Sequence, residues 1–124
     1  MTNLSKNQSF ARRLAFAVAG FAHALRGERS LRTQLGILVV VVAVLGYLQP
    51  PAVWWALVSL CAAGVIGAEL FNTAVERLAD HLHPDVHPQI RIVKDCAAAA
   101  VLCAALGAVG VGIALVVELV GQWR

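Results

Sequence analysis

Glu69, Asn72, Glu76 and Asp80 stand where a long uncharged stretch, Leu35 to Ala68, comes to an end. At 100° per residue the four fall within an arc of about 80° on one helix face. A carboxylate at the end of a membrane-spanning helix costs free energy, so ionisable residues placed there are functional candidates by default. Carboxylates and an amide on one face fit a divalent metal and the phosphates it carries. Phosphoryl transfer would also need a base near a membrane-borne hydroxyl. Glu69 is the most deeply placed of these acids, where a lipid hydroxyl can arrive. The pattern points to a lipid-modifying enzyme. The sequence has neither a G-x-x-x-x-G-K-[ST] loop nor the protein-kinase signature set, so those phosphate-binding frames are not in play.

The elements that must position these residues follow from composition. Of 124 residues, 60% are hydrophobic and only 14% charged, and the mean hydropathy is +0.76. A soluble domain is nearer half apolar and a quarter charged. The length allows one domain, covering 1–124. Leu35 to Ala68 is too long for one crossing, and Gln49-Pro50-Pro51 breaks it in two; Cys96 to Val117 is a further uncharged run. The expected fold is an all-α integral membrane protein. It has an N-terminal amphipathic surface helix at about 8–26 and transmembrane helices at about 30–48, 52–72 (extended to 82) and 96–118. The first 30 residues lack a continuous apolar core followed by a small-residue cleavage site, so no signal peptide is expected.

Lys6, Arg12, Arg13, Arg26, Arg29 and Arg32 precede the first crossing, and Arg77, Arg91 and Lys94 lie between the second and third. The positive-inside rule makes both segments cytoplasmic and the C-terminus external. Tyr47, Trp54, Trp55 and Trp123 then gather at the outer interface as an aromatic belt. The net charge of +3 reads as attraction to anionic lipid of the inner leaflet, not as nucleic-acid binding. Phe10, Leu14, Val18, Phe21 and Leu25 repeat at helical spacing. They describe a helix lying in the interface or packing on the other helices, two compatible readings. Glu28 is the one acid in the first 68 residues. It is either a solvated partner of Arg29 or Arg32, or a site residue at the level of Glu76.

After the second span, His81 to Pro88 reads as a turn between helices, with Pro84 and Pro88 stopping continuation. His83, Asp85 and His87 do not have a strong zinc spacing, and a polar hinge over a nucleotide is the better reading. Lys94 and Asp95 are placed at the start of the third span. Asp95 there is either a cap or a catalytic acid, whereas Lys94 opposes the helix dipole and reads as a phosphate contact. Cys61, Cys96 and Cys103 are an odd count without a disulfide framework, and read as small membrane-buried residues. Ala97 to Ala100, Ala104, Ala105, Gly107, Gly110 and Gly112 give the third span a small-residue surface for close helix packing.

The run Glu69-Leu70-Phe71-Asn72-Thr73-Ala74-Val75-Glu76, then Asp80, then Lys94-Asp95-Cys96-Ala97-Ala98-Ala99-Ala100-Val101, resembles the signature of the prokaryotic diacylglycerol kinase family, which includes the undecaprenol kinases. Its pattern is E-x-x-N-[ST]-A-x-E-x-x-x-D followed by K-D-x-x-[AS]-A-A-V. Glu28 to Arg32 fits an E-R-x-x-R element of the same family, and the likeness extends over roughly residues 10–118.

The resemblance implies an integral-membrane homotrimer of the bacterial inner membrane that moves the γ-phosphate of ATP to a lipid alcohol with Mg²⁺. Carried over residue by residue, Glu69 is the base. Glu28 and Glu76 hold the metal and nucleotide, and Asn72 supports them. Lys94 and Asp95 contact the nucleotide, as do Asp85, Val86 and His87 of the loop. The lipid lies beside His23, Ala24, Leu25, Ser30, Leu31, Arg32, Thr33, Gln34, Tyr47, Trp55, Glu69 and Ala98. Phe16 stands where a tyrosine can face the nucleotide, Ser9 where a basic residue can occur, with Arg12 or Arg13 as substitutes, and Tyr47 where a tryptophan occurs. Diacylglycerol is the first expectation for the lipid and undecaprenol the second. A non-enzymatic transport subunit is the alternative of another class. It would want its acid at mid-bilayer, whereas here Glu69 lies toward the cytoplasmic end and more acids continue beyond it.

Overall fold

The computed structural model describes residues 8–124. Lys6, counted above among the N-terminal basic residues, lies outside them. Among the described residues there are four helices and no strand: α1 (Phe10–Gly27), α2 (Arg29–Leu48), α3 (Ala52–Leu82) and α4 (Pro88–Gln122). α2, α3 and α4 are each long and apolar enough to cross a membrane, which makes this a multi-pass membrane protein.

The breaks between helices have local causes. At the end of α2, Gln49 turns into the left-handed region (φ 48°, ψ 53°) and its N–H bonds back to the Leu45 carbonyl at 2.8 Å. Pro50 and Pro51 cannot donate a backbone hydrogen bond, and α3 restarts directly after them. Nothing in the polar segment after Glu69 interrupts α3. It runs on to Leu82 and closes with the His83 N–H on the Ala79 carbonyl at 2.8 Å.

α4 begins earlier than expected, at Pro88 and not at about 96. Proline in the first turn has no N–H to leave unsatisfied. The His87 side chain caps the helix, its Nδ1 accepting from the Gln89 N–H at 3.1 Å. Lys94 and Asp95 therefore sit about two turns inside α4, which corrects their placement at a helix start. Asp95 is not a cap, and Lys94 does not face the helix dipole. The uncharged run marked the lipid-buried part of the helix, and the helix itself extends beyond it. α1 is also offset slightly from the expected 8–26.

α3 and α4 form an antiparallel hairpin, and α2 joins them most firmly at one end. There Leu45, Trp54 and Leu115 are buried together, flanked by Val41, Trp55 and Leu119. Trp54 Nε1 donates to Glu118 Oε2 at 3.1 Å, tying the start of α3 to the end of α4. Trp54 is thus a packed residue as well as part of the expected belt, while Tyr47 and Trp123 are both 86% exposed. Only 6–11% of each apolar window is buried within the chain. A Cβ added at Gly107, Gly110 or Gly112 would meet nothing within 4 Å, so the small-residue surface makes no close approach inside the chain.

In α1, Phe10, Leu14 and Val18 are exposed, and packing against the rest of the chain begins only at Phe21 and Ala24. Its C-terminal end is fixed by Arg32 of α2, whose Nη1 donates to the carbonyls of Leu25 (3.0 Å) and Arg26 (2.9 Å). A cation there satisfies orphan carbonyls and the negative end of the helix dipole together.

Candidate functional site

Glu69 is buried in the face of α3 turned toward α2 and is only 5% exposed. Ser30 Oγ donates to Glu69 Oε1. Gln34 Nε2 donates to Glu69 Oε2 at 3.2 Å. Ser30 and Gln34 are one helical turn apart on α2, so both can reach the same carboxylate. Each carboxylate oxygen has a further lone pair, so Glu69 can accept up to two more hydrogen bonds. Gln34 Oε1 is buried with no partner among the described residues. Beyond Gln34 an apolar cavity of about 460 Å³ opens among α2, α3 and α4, lined by residues including Val41, Leu45, Cys61, Val65 and Leu115. Glu69 does not itself line that space but bonds to Gln34, the polar residue at its end. Thr73, one turn further along α3, is also buried; the motif contained it, but its burial was not anticipated.

Further along the same face, Asn72 Nδ2 donates to Glu76 Oε1 at 3.1 Å. Asn72 Oδ1 is buried without a partner among the described residues. An orphaned amide oxygen beside a carboxylate is a hard-oxygen pair of the type that Mg²⁺ takes. Glu28 is the half-buried N-cap residue of α2, yet its side chain makes no capping bond. It pairs instead with Arg77 of α3, Nη2 to Oε1 at 3.5 Å. The partner is neither Arg29 nor Arg32, and Glu28 is drawn to the residue next to Glu76. Among the described residues no three His, Cys, Asp or Glu side chains converge. A metal here would therefore rest on two carboxylates at most, with the amide oxygen, water and phosphate completing its shell. Mg²⁺ is normally held that way.

Lys94 Nζ donates to Asp80 Oδ1, a pairing between α3 and α4 that gives Lys94 a structural partner in addition to any ligand. Asp95 lies 3.9 Å from Arg91 Nε in an exposed i,i+4 pair, an arrangement worth little to stability. The turn between α3 and α4 holds Asp85 and Val86, both exposed. The His83 and His87 rings lie 5.1 Å apart, tilted at 57°, and His83 Nδ1 approaches the Asp85 carbonyl at 3.1 Å.

The remaining expected residues divide by depth. Ala24 and Leu31 are buried under the α1–α2 elbow, and His23 Nε2 accepts from Arg77 Nη1 at 2.6 Å. The Leu25 carbonyl and the Arg32 guanidinium bond each other. Thr33 Oγ1 donates to the Arg29 carbonyl at 3.1 Å. Tyr47 lies seventeen residues along α2 from Ser30, about 25 Å away at 1.5 Å per residue, and Trp55 packs on the Leu45–Trp54–Leu115 cluster at that far end. Ala98 is exposed on α4, and Phe16 and Arg12 are exposed on α1. In the sequence Arg77 counts only as a topogenic charge, whereas in the fold it reaches both His23 and Glu28.

The sequence model of the prokaryotic diacylglycerol kinase family matches residues 15–116. The chain belongs to that family. A diacylglycerol kinase from Synechocystis sp. (strain ATCC 27184 / PCC 6803 / Kazusa) is 40% identical over 100 residues, which cover 78% of this chain and 56% of that protein. The chain thus spans little more than half the length of that relative.

Proposed function

We propose that the protein phosphorylates a membrane lipid alcohol with ATP, converting diacylglycerol to phosphatidic acid. The observation that carries this reading is Glu69, a buried carboxylate held by Ser30 and by Gln34, the polar residue at the end of an apolar cavity. A lipid lying with its hydrocarbon in that cavity brings its hydroxyl to the one kind of group there that can take its proton. Glu69 accepts the proton as the lipid oxygen attacks the γ-phosphoryl group and the β–γ bridging P–O bond breaks to release ADP, while Ser30 and Gln34 hold the carboxylate in line. Family membership and the diacylglycerol kinase relative support the activity.

The residues present fit a divalent cation. Glu28, Glu76 and the unpartnered oxygen of Asn72 would hold Mg²⁺. When bound, it would neutralise charge on the transferring phosphates. Lys94 offers a point charge to the phosphates, released from Asp80 when nucleotide arrives. Asp95 and the loop Asp85–Val86–His87 lie on the nucleotide side, with Phe16 and Arg12 supplied by α1. His23 to Leu25 and Ser30 to Gln34 border the lipid head, and Tyr47, Trp55 and Ala98 border its chains.

The assembly is a homotrimer in the bacterial inner membrane, N-terminus cytoplasmic and C-terminus outside, with α1 lying in the inner interface. Support comes from the large unburied apolar surface, the unused glycine face of α4 and the exposed stripe of α1. The test is lipid-dependent ATP consumption by the purified protein, with diacylglycerol and undecaprenol side by side. Faster turnover of diacylglycerol supports the reading. Turnover of undecaprenol alone would move the protein to that branch, and turnover of neither would remove the kinase.

A further inference from the structure

Arg77 spans the junction on which the metal side of the site depends. Its Nη1 donates to His23 Nε2 at 2.6 Å, and its Nη2 lies 3.5 Å from Glu28 Oε1. One planar guanidinium on α3 therefore grips α1 and the first residue before α2, on either side of the elbow. Between those two grips lies Gly27. A Cβ built there would stand 2.5 Å from Arg77 Nη2. Gly27 does not have a positive φ, so its backbone accepts any L residue, and an added Cβ would meet only the movable end of the Arg77 side chain, which it would push aside. Glu28 sits at an N-cap position where a carboxylate ordinarily folds back on its own helix. Here it makes no such bond and is turned outward to α3.

We infer that Arg77 is a positioning residue: it turns the Glu28 carboxylate away from its own helix end and holds it against α3, the helix that carries Glu76, with Gly27 giving the guanidinium its room. The inference rests on reading Glu28 as a metal ligand. Arg77 acts through Glu28. A guanidinium suits the task because its fork reaches two partners at fixed angles, which a lysine ammonium on a flexible stem does not.

Two forces oppose each other at this point. A positive charge beside Glu28 repels a cation, while a carboxylate held in place binds one better. Deleting the charge would mix the two effects, so the test uses variants that keep it. Gly27→Ala displaces the guanidinium and leaves its charge on the protein, while raising helix propensity at that position. Arg77→Lys keeps the charge and loses the fork.

The measurement is Mn²⁺ binding to the full-length protein with a non-hydrolysable ATP analogue, followed by loss of the free-ion electron paramagnetic resonance signal, with Glu28→Gln in parallel. The expected result is 3- to 10-fold weaker Mn²⁺ binding in Gly27→Ala and in Arg77→Lys, with melting temperatures close to the unaltered chain. Unaltered Mn²⁺ affinity in both, while Glu28→Gln loses it, would overturn the role of Arg77 and leave Glu28 a ligand. Unaltered affinity in Glu28→Gln would overturn both.

Discussion

Gln34 on α2 and Glu69 on α3 meet through one hydrogen bond, Nε2 to Oε2 at 3.2 Å, while the other end of the Gln34 amide is buried with no partner among the described residues. An unsatisfied buried carbonyl is costly in a folded protein. It is understandable at the mouth of a site that a hydroxyl-bearing ligand completes. On the proposed function, Glu69 and Gln34 form one unit, the acid as proton acceptor and the amide as its support.

Replacing Gln34 by Leu removes that support while keeping much of the volume. A hydrogen bond to a charged group is worth about 1.5–3 kcal/mol, which corresponds to roughly a 10- to 150-fold fall in kcat if it is expressed in the transition state. Steady-state kinetics with saturating ATP check this. A kcat within twofold of the unaltered protein would show that Ser30 alone orients the carboxylate.

Glu28 and Glu76 are expected to share one metal. Either change to Gln raises the Mg²⁺ concentration needed for half-maximal turnover, and the double change costs less than the sum of the two. Chelation of divalent metal abolishes turnover, and added Mg²⁺ restores it. Strictly additive losses would mean that the two carboxylates act independently.

Much of the architecture was readable before any coordinates, and the reasons are physical. Bilayer thickness sets the length of an apolar run, and Gln49-Pro50-Pro51 cannot continue a helix, so α2 and α3 fall where expected. Glu69, Asn72 and Glu76 share a face because helical period fixes it. The start of α4 was missed because Gln89 to Asp95 is polar, and hydropathy reports contact with lipid, not backbone conformation. Pro88 after a side chain able to cap was the signal that marked the true start. The Lys94–Asp80 and Arg77–Glu28 pairs were not legible. Each joins different helices, and partner choice there depends on how the turns set one helix against the next.

At the opposite end of the spans, Trp54 and Glu118 tie α3 to α4. Because Glu118 is exposed and water can solvate it, Trp54→Phe should cost only about 1 kcal/mol, the net worth of one hydrogen bond. Trp54→Ala empties the Leu45–Leu115 cluster and should cost about 3–5 kcal/mol. Thermal unfolding in detergent separates the two. Equal losses would mean that the hydrogen bond, and not the packing, holds that end.

Assembly can be tested by mixing inactive chains. Glu69 and Glu76 share a helix, so Glu69→Gln mixed with Glu76→Gln should stay inactive if one site draws both from one chain. Glu69→Gln mixed with Glu28→Gln recovers activity only if a neighbouring chain supplies Glu28. Since Glu28 is held to α3 of its own chain by Arg77, the expected result is no recovery in either mixture, with mixed trimers shown to form. Recovery in the second mixture would place Glu28 across a subunit boundary.

The central claim is that Glu69 takes the proton of a lipid hydroxyl, and Glu69→Gln tests it most directly. Glutamine keeps the size of the side chain, loses its basicity, and exchanges one acceptor oxygen for an NH2, so one of the bonds from Ser30 and Gln34 must reorganise. Turnover with diacylglycerol and nucleotide affinity should be measured on the same preparation. The account predicts a fall in kcat of at least about 100-fold with ATP affinity unchanged. Near-normal turnover in that variant would contradict it.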